Sequence, residues 1–351
     1  MKRTNFSLAM KLVLLGVGGA AAACVAQQRR RMDFAGKTVV ITGGSRGLGL
    51  ELARTFADEG ANIALLARDR EQLAEAEREI RHTGVRVVTI SCDVTKQEEV
   101  QSAIDTVVAQ LGGVDVLVNN AGIIQVGPFE HMQLQDFTDA MNTHFWGTLY
   151  LVQAVVPHMK RQHSGRIVNI ASIGGKIAVP HMLPYVASKF ALVGLSEGLR
   201  AELAKEHIYV TTVSPGLMRT GSHVNALFKG QHKKEFALFS LANASPAFSV
   251  SSDRAARQII DACRYGVAEL VIGPQARLAC LIKGVVPAFV SGALSLADRV
   301  LPGPAGSEGN RLRRGWQSRS ILAPTLLTGP ADRATSRNHE RFQAPPAERR
   351  V

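Results

Sequence analysis

From Thr38 onward the chain alternates short, unbroken apolar runs with longer stretches in which apolar residues recur at helical spacing. The runs Thr38–Ile41, Asn62–Ala67, Val85–Ser91, Val114–Asn119, Arg166–Ala171, Ile208–Ser214 and Glu269–Ile272 predict strands. Between them Leu48–Asp58, Arg70–His82, Gln97–Leu111, Leu134–Lys160 and Leu183–Lys205 predict helices, with Gly60 and Gly84 at C-terminal stops. Strands this apolar, alternating with helices, imply an α/β fold: a doubly wound parallel sheet covered on both faces, with right-handed connections.

Three regions break the pattern. Thr220–Ser252 lacks clean periodicity and follows a strand at the sheet end where ligands bind, which predicts a lid. Leu278–Leu301 is apolar but interrupted by Lys283, Pro287 and Asp298, which suits a surface-lying or partner-contacting segment better than a membrane span. From Pro302 the Pro/Gly/Arg-rich composition predicts little order.

At the N-terminus Leu12–Ala26 is an unbroken apolar stretch, and Leu8–Ala26 is interrupted only by Lys11. Two readings lead: a membrane anchor through residues 8–26, or a secretory signal cleaved after the small residues Ala21–Ala23. A third makes Cys24 a lipid acceptor. Arg29–Arg31 beside the apolar run place the following domain in the cytoplasm, although Lys2 and Arg3 favour the opposite orientation. The alternative to an anchored protein is one exported after cleavage.

Charge sharpens the picture once it is located. The net charge is +12, and residues 1–31 and 311–351 carry +6 each, so the stretch between is neutral. A nucleic-acid binder would carry its surplus on the folded domain; a surplus on the ends suits anionic lipid or an acidic partner. The four cysteines form no CxxC pair and no metal-ligand spacing, which excludes a disulfide scaffold and a zinc module, and no metal is expected.

The first strand runs into Thr42-Gly43-Gly44-Ser45-Arg46-Gly47-Leu48-Gly49. Glycines there let backbone approach a ligand at a helix N-terminus, where free N–H groups and the helix dipole favour phosphate. Tyr185 and Lys189 are spaced i,i+4 and share a helix face. An ammonium beside a phenol favours the phenolate and brings its pKa down from about 10 toward neutrality. Such a phenol can exchange a proton with a carbonyl or alcohol oxygen while hydride moves on carbon, and Ser172 would hydrogen-bond that oxygen.

With Asn119-Asn120-Ala121-Gly122 after the fourth strand, Ser172 thirteen residues before Tyr185, and Pro215-Gly216 after the sixth, the sequence resembles the single-domain short-chain dehydrogenase/reductase family over roughly residues 34–275. The resemblance implies a Rossmann-type sheet with catalytic Ser172, Tyr185 and Lys189, the Lys also contacting the nicotinamide ribose. It further implies that Asp93 and Val94 flank the adenine, that Asn120, Ala121 and Gly122 line the cofactor groove, and that Thr220 touches the carboxamide. Gly43, Ser45, Arg46, Gly47, Leu48, Gly49, Pro215 and Gly216 complete the cofactor set.

One position departs from the family. Counting back from Gly147, His144 stands where the family carries an Asn that helps hold a proton-relay water. A His can donate one hydrogen bond and accept another, which keeps a relay open; a packing role is the other reading. The second strand ends in Ala67-Arg68 with no acid, and Arg46 lies in the glycine loop, so two guanidiniums favour the 2′-phosphate of NADP(H) over NAD.

The organisation expected is 1–31 as anchor or signal, 34–275 as dinucleotide-binding catalytic domain, 276–301 as an interfacial or partner-contacting segment, and 302–351 as basic tail. The function expected is an NADP(H)-dependent oxidoreductase interconverting a carbonyl and a secondary alcohol. The alternative is a catalytically silent NADP-binding sensor or scaffold at a membrane. Leu227, Phe228, Phe236, Leu238, Phe239 and Leu241 point to a lipophilic substrate, or else to packing within the lid. A homodimer or homotetramer is implied by resemblance alone, membrane association by the N-terminus, and nucleic acid is not an expected partner.

Overall fold

A computed structural model describes residues 27–244, 249–319 and 333–340. Its first half runs β1 (Thr38–Thr42), α1 (Gly47–Asp58), β2 (Asn62–Ala67), α2 (Arg70–Arg81), β3 (Val87–Ser91), α3 (Gln97–Leu111), β4 (Val116–Asn119) and the short β5 (Gln125–Val126). Then come α4 (Leu134–Met141), α5 (Gly147–Arg161), β6 (Gly165–Ile170), α6 (Leu183–Leu203), β7 (Ile208–Pro215), β8 (Leu217–Arg219), β9 (Leu227–Phe228) and α7 (His232–Ala244). The chain continues through β10 (Ser249–Ser251), α8 (Ser252–Arg264), β11 (Glu269–Ile272), α9 (Pro274–Val285), α10 (Pro287–Asp298) and β12 (Arg313–Arg314).

Seven strands form one parallel sheet in the order β11-β7-β6-β4-β1-β2-β3. Chain direction across the sheet reverses between β1 and β4, and this switch point opens a crevice at the carboxyl ends of the strands. Alternation along each strand feeds two cores. Val39, Ile41, Ile63 and Leu65 pack with α1 and α8 on one face, while Val40, Ala64, Leu66 and Leu117 pack with α3 and α5 on the other. Burial on both faces explains why these strands read as continuous apolar runs.

The predicted single helix Leu134–Lys160 is divided by a π-helical turn, Asn142–Trp146, between α4 and α5. Gly147 follows that turn so closely against β3's exit that a Cβ would lie 2.9 Å from the Val94 carbonyl oxygen. The lid region holds α7, while β8 pairs with β10, and β9 joins β5 and β12 in a small three-stranded sheet.

The tail from Pro302, expected to lack order, is in part built into the fold. The Gly309 carbonyl accepts from Gly230 N at 2.9 Å, His131 Nδ1 meets Asn310 Oδ1 at 2.8 Å, and β12 pairs with β9. Residues 333–340 also pack against the domain, with Asn338 fully buried. Composition misses these attachments because they are backbone and single side-chain hydrogen bonds, not apolar periodicity.

The apolar segment after β11 forms α9 and α10, with Leu278, Leu281, Val285, Phe289 and Leu296 exposed. Among the described residues no helix is long and apolar enough to cross a membrane. The stretch 8–26, read as an anchor, lies outside the described residues.

Candidate active site

The loop after β1 turns through Gly43 (φ +62°) and Gly47 (φ +61°), the left-handed region that favours glycine. At Gly49 the constraint is space: a Cβ would stand 2.2 Å from the Gly43 carbonyl oxygen and 2.6 Å from Asn120 Nδ2. The Asn120 amide in turn donates to the Thr42 and Gly43 carbonyls at 3.0 and 3.2 Å, and Thr42 Oγ1 accepts from Asn120 N and Ala121 N at 3.0 Å. The two loops at the ends of β1 and β4 are thus one hydrogen-bonded unit across the switch point.

β6 ends by placing Ser172 at the head of a short 3-10 turn, where its Oγ accepts from Gly174 N at 3.0 Å. Tyr185 and Lys189 face it from α6. Lys189 Nζ donates to the Ile170 carbonyl at 2.7 Å and lies 5.7 Å from the centroid of the Tyr185 ring. Burial alone brings the Lys189 ammonium down to about 7.

The phenol departs from the sequence expectation. Burial pushes Tyr185 above its ordinary value, and a hydrogen bond with Ser172 only partly offsets this. The reason is desolvation: a phenolate in this crevice loses water that an ammonium at this distance does not replace. In the protein by itself burial therefore favours the neutral phenol at Tyr185.

His144, in the π-helical turn, is buried, and its pKa is held well down by desolvation and then by the Lys189 charge. Its Nε2 accepts from Ile123 N at 3.1 Å, which leaves Nδ1 as the donor to Ser188 Oγ at 2.7 Å; Ser188 Oγ donates onward to the Tyr185 carbonyl at 2.8 Å. With both ring nitrogens committed, His144 ties the Asn120–Ile123 loop to α6. His144→Ala leaves buried polar groups unpaired and is expected to lower stability by about 1–3 kcal/mol, read from denaturant unfolding, whereas His144→Asn restores part of the bonding and most of the stability.

At the far end of the crevice Arg46 and the exposed Arg68 stand on the loops after β1 and β2. Asp93 sits near Arg68; burial opposes its ionisation, but hydrogen bonds from Thr95 and the charges of Arg68 and Lys96 outweigh it and hold the carboxyl below its ordinary value. Of all the residues singled out from the sequence as catalytic or cofactor-binding, every one except Gly49 lines a single cavity of about 1020 Å³. Gly49 acts one layer behind, through its contact with Gly43.

The cavity's other end carries a cluster of apolar residues beside His181, Glu235 and Asn243. Leu227, Leu238 and Phe239 from the lid line it with Val126, against which Phe228 and Phe236 pack from beneath. Sequence reasoning did not anticipate Leu294, Ala297 and Leu301, which α10 and its exit add to this wall, nor Glu340, which reaches the glycine loop. The helical spacing of 294 and 297 was a usable signal; the position of Glu340 had none. Among the described residues no His/Cys/Asp/Glu group could hold a metal ion.

Comparison with known proteins agrees with this geometry. The family model described as short chain dehydrogenase matches residues 37–229. SadH of Mycobacterium tuberculosis, a candidate oxidoreductase, is 36% identical over 251 residues, covering 70% of this chain and 89% of that protein. The 3-oxoacyl-acyl-carrier-protein reductase FabG of Staphylococcus epidermidis is 40% identical over 183 residues, covering 52% of this chain and 75% of that one.

Among solved structures, L-sorbose reductase from Gluconobacter frateurii, complexed with NADPH and L-sorbose, superposes with a TM-score of 0.62 at 29% identity, over 69% of this chain and 97% of its own. An NAD+-bound xylitol dehydrogenase superposes with 0.61 at 29% identity, over 69% and 99%. The two neighbours carry different dinucleotides.

Proposed function

Given that the chain belongs to the short-chain dehydrogenase/reductase family, we propose that it is an NADP(H)-dependent oxidoreductase interconverting a lipophilic ketone and its secondary alcohol. The observation that carries this reading is the convergence of Ser172, Tyr185 and Lys189 on one cavity with the glycine loop. The cradle suits a dinucleotide: at Gly49 even a Cβ would strike the Gly43 carbonyl, so the loop and helix meet with no side chain between them. A nicotinamide dinucleotide held there supplies or accepts the hydride.

In the reductive direction Ser172 and Tyr185 hydrogen-bond the carbonyl oxygen, and the Tyr185 phenol donates its proton as charge develops there. The phenol's raised pKa keeps it protonated through the neutral range. The Lys189 ammonium steadies the phenolate left behind; with its pKa near 7, that charge is fuller below neutrality than above it. Oxidation of the alcohol reverses each step.

Arg46 and Arg68 support a 2′-phosphate: β2 ends in Ala67 and not in an acid, and the next acid, Asp69, has its Oδ1 committed to the Glu71 and Gln72 amides as the cap of α2. Arg68→Ala is expected to weaken NADPH binding roughly tenfold and leave NADH binding within about twofold; equal losses for both in fluorescence titrations contradict the assignment. The apolar wall of Leu238, Phe239, Leu294 and Leu301 supports a lipophilic substrate. A panel of apolar and polar ketones, followed by NADPH absorbance, tests the whole reading: turnover confined to the apolar members is expected. A silent binding protein would hold NADPH and consume none.

A further inference from the structure

Helix α1 begins at the phosphate cradle, yet its own sequence does little to satisfy its N-terminus. The residue at its head, Arg46, makes no side-chain capping bond, and the first turn carries no acid. The partners come instead from residues 333–340, far along the chain. Gly47 N donates to the Asn338 carbonyl at 2.8 Å. The Glu340 carboxylate lies beside Gly47, where a Cβ would be only 2.6 Å from Glu340 Oε1, and Arg46 Nε stands 3.5 Å from Oε2.

The segment is anchored on both sides of this contact. Glu340 Oε2 accepts from Asn225 Nδ2, and the Asn338 amide donates to Thr220 O at 3.3 Å and to Ser252 Oγ at 3.1 Å. Arg54 Nη2 donates to the Arg337 carbonyl at 2.9 Å, and Arg337 pairs with Glu51 at 2.9 Å. Asn338 is fully buried and Glu340 is 5% exposed.

A carboxylate is the protein side chain closest to a phosphate in charge and hydrogen-bond acceptance, and a helix N-terminus favours either. Here the Asn338 carbonyl takes the backbone donor of Gly47, and the Glu340 carboxylate beside it stands against the guanidinium assigned to the 2′-phosphate. We propose that residues 333–340 are an intrasteric plug: seated, they exclude the dinucleotide, and cofactor binding requires that they leave. The inference rests on the dinucleotide reading of the same cradle. It makes the fraction of unplugged chain a multiplier on cofactor affinity.

The test uses the full chain, titrated with NADPH and with NADH by fluorescence, and hydrogen exchange of residues 333–340 with and without saturating NADPH. Glu340→Ala and, separately, Asn338→Ala are expected to tighten both cofactors about tenfold, because the shared cradle and not only the 2′-phosphate site is freed. Saturation of the unsubstituted chain is expected to speed exchange across 333–340. Unchanged affinity in both variants, or a segment equally or better protected with NADPH bound, overturns the plug and leaves the proposed function standing. Failure of every chain to bind either dinucleotide overturns both.

Discussion

Tyr185→Phe is expected to lower turnover by about 10²–10⁴-fold while leaving the NADPH dissociation constant within about twofold. The substitution removes one oxygen from a ring that α6 already holds in place, edge-on to the imidazole of His144 at 5.5 Å between centroids. What is lost is the only phenol among the described residues that line the cavity, and with it the proton that the proposed reduction delivers to the substrate oxygen. Ser172 remains able to hydrogen-bond that oxygen, but a serine hydroxyl is far too weak an acid to replace the phenol. A variant that keeps near-normal turnover would remove Tyr185 from the chemistry. One that loses cofactor binding in parallel would show the residue to be part of the cradle instead.

Gly49→Ala acts at the opposite end of the crevice and through packing alone. The new methyl would meet the Gly43 carbonyl oxygen at 2.2 Å, a backbone atom that cannot yield without moving the loop. Overpacking of this kind costs about 1–3 kcal/mol. The loop displacement is expected to weaken NADPH and NADH binding by roughly tenfold to a hundredfold, since each tenfold corresponds to about 1.4 kcal/mol. Gly198→Ala on α6, where a Cβ meets nothing within 4 Å, serves as the control and should leave affinity unchanged. Unaltered binding in Gly49→Ala would mean that the glycine loop does not hold the dinucleotide.

The sheet was legible because its strands are buried on both faces: Val39, Val40 and Ile41 each find a core, so the run is apolar without a break. Tyr185 and Lys189 were legible because helical spacing alone puts them on one face. The electrostatics were not. Nothing in the spacing shows how completely α6 buries the phenol, and desolvation, a property of the whole fold, reverses the expected direction of its shift. The π-helical turn at Asn142–Trp146 was equally hidden, since it differs from an α-helix in hydrogen-bond register and not in residue type. His144 looked like a substitute in a relay; only the positions of Ile123 N and Ser188 Oγ show that its two nitrogens are spoken for. Asn338 and Glu340 lie in a stretch whose composition predicts no order, and their partners are single polar contacts from distant loops.

In the proposed reaction this crevice passes a hydride between the carbon of a carbonyl and a bound nicotinamide, with Tyr185 handling the proton. Deuterium-labelled NADPH, bearing the label in turn on either face of the nicotinamide C4, tests it with whichever ketone the protein consumes. One face is expected to deliver a single deuterium to the carbinol carbon of the product, detected by mass spectrometry, while the other face delivers none. Product free of deuterium with both cofactors, or NADPH bound and never oxidised in the presence of any ketone, would contradict it.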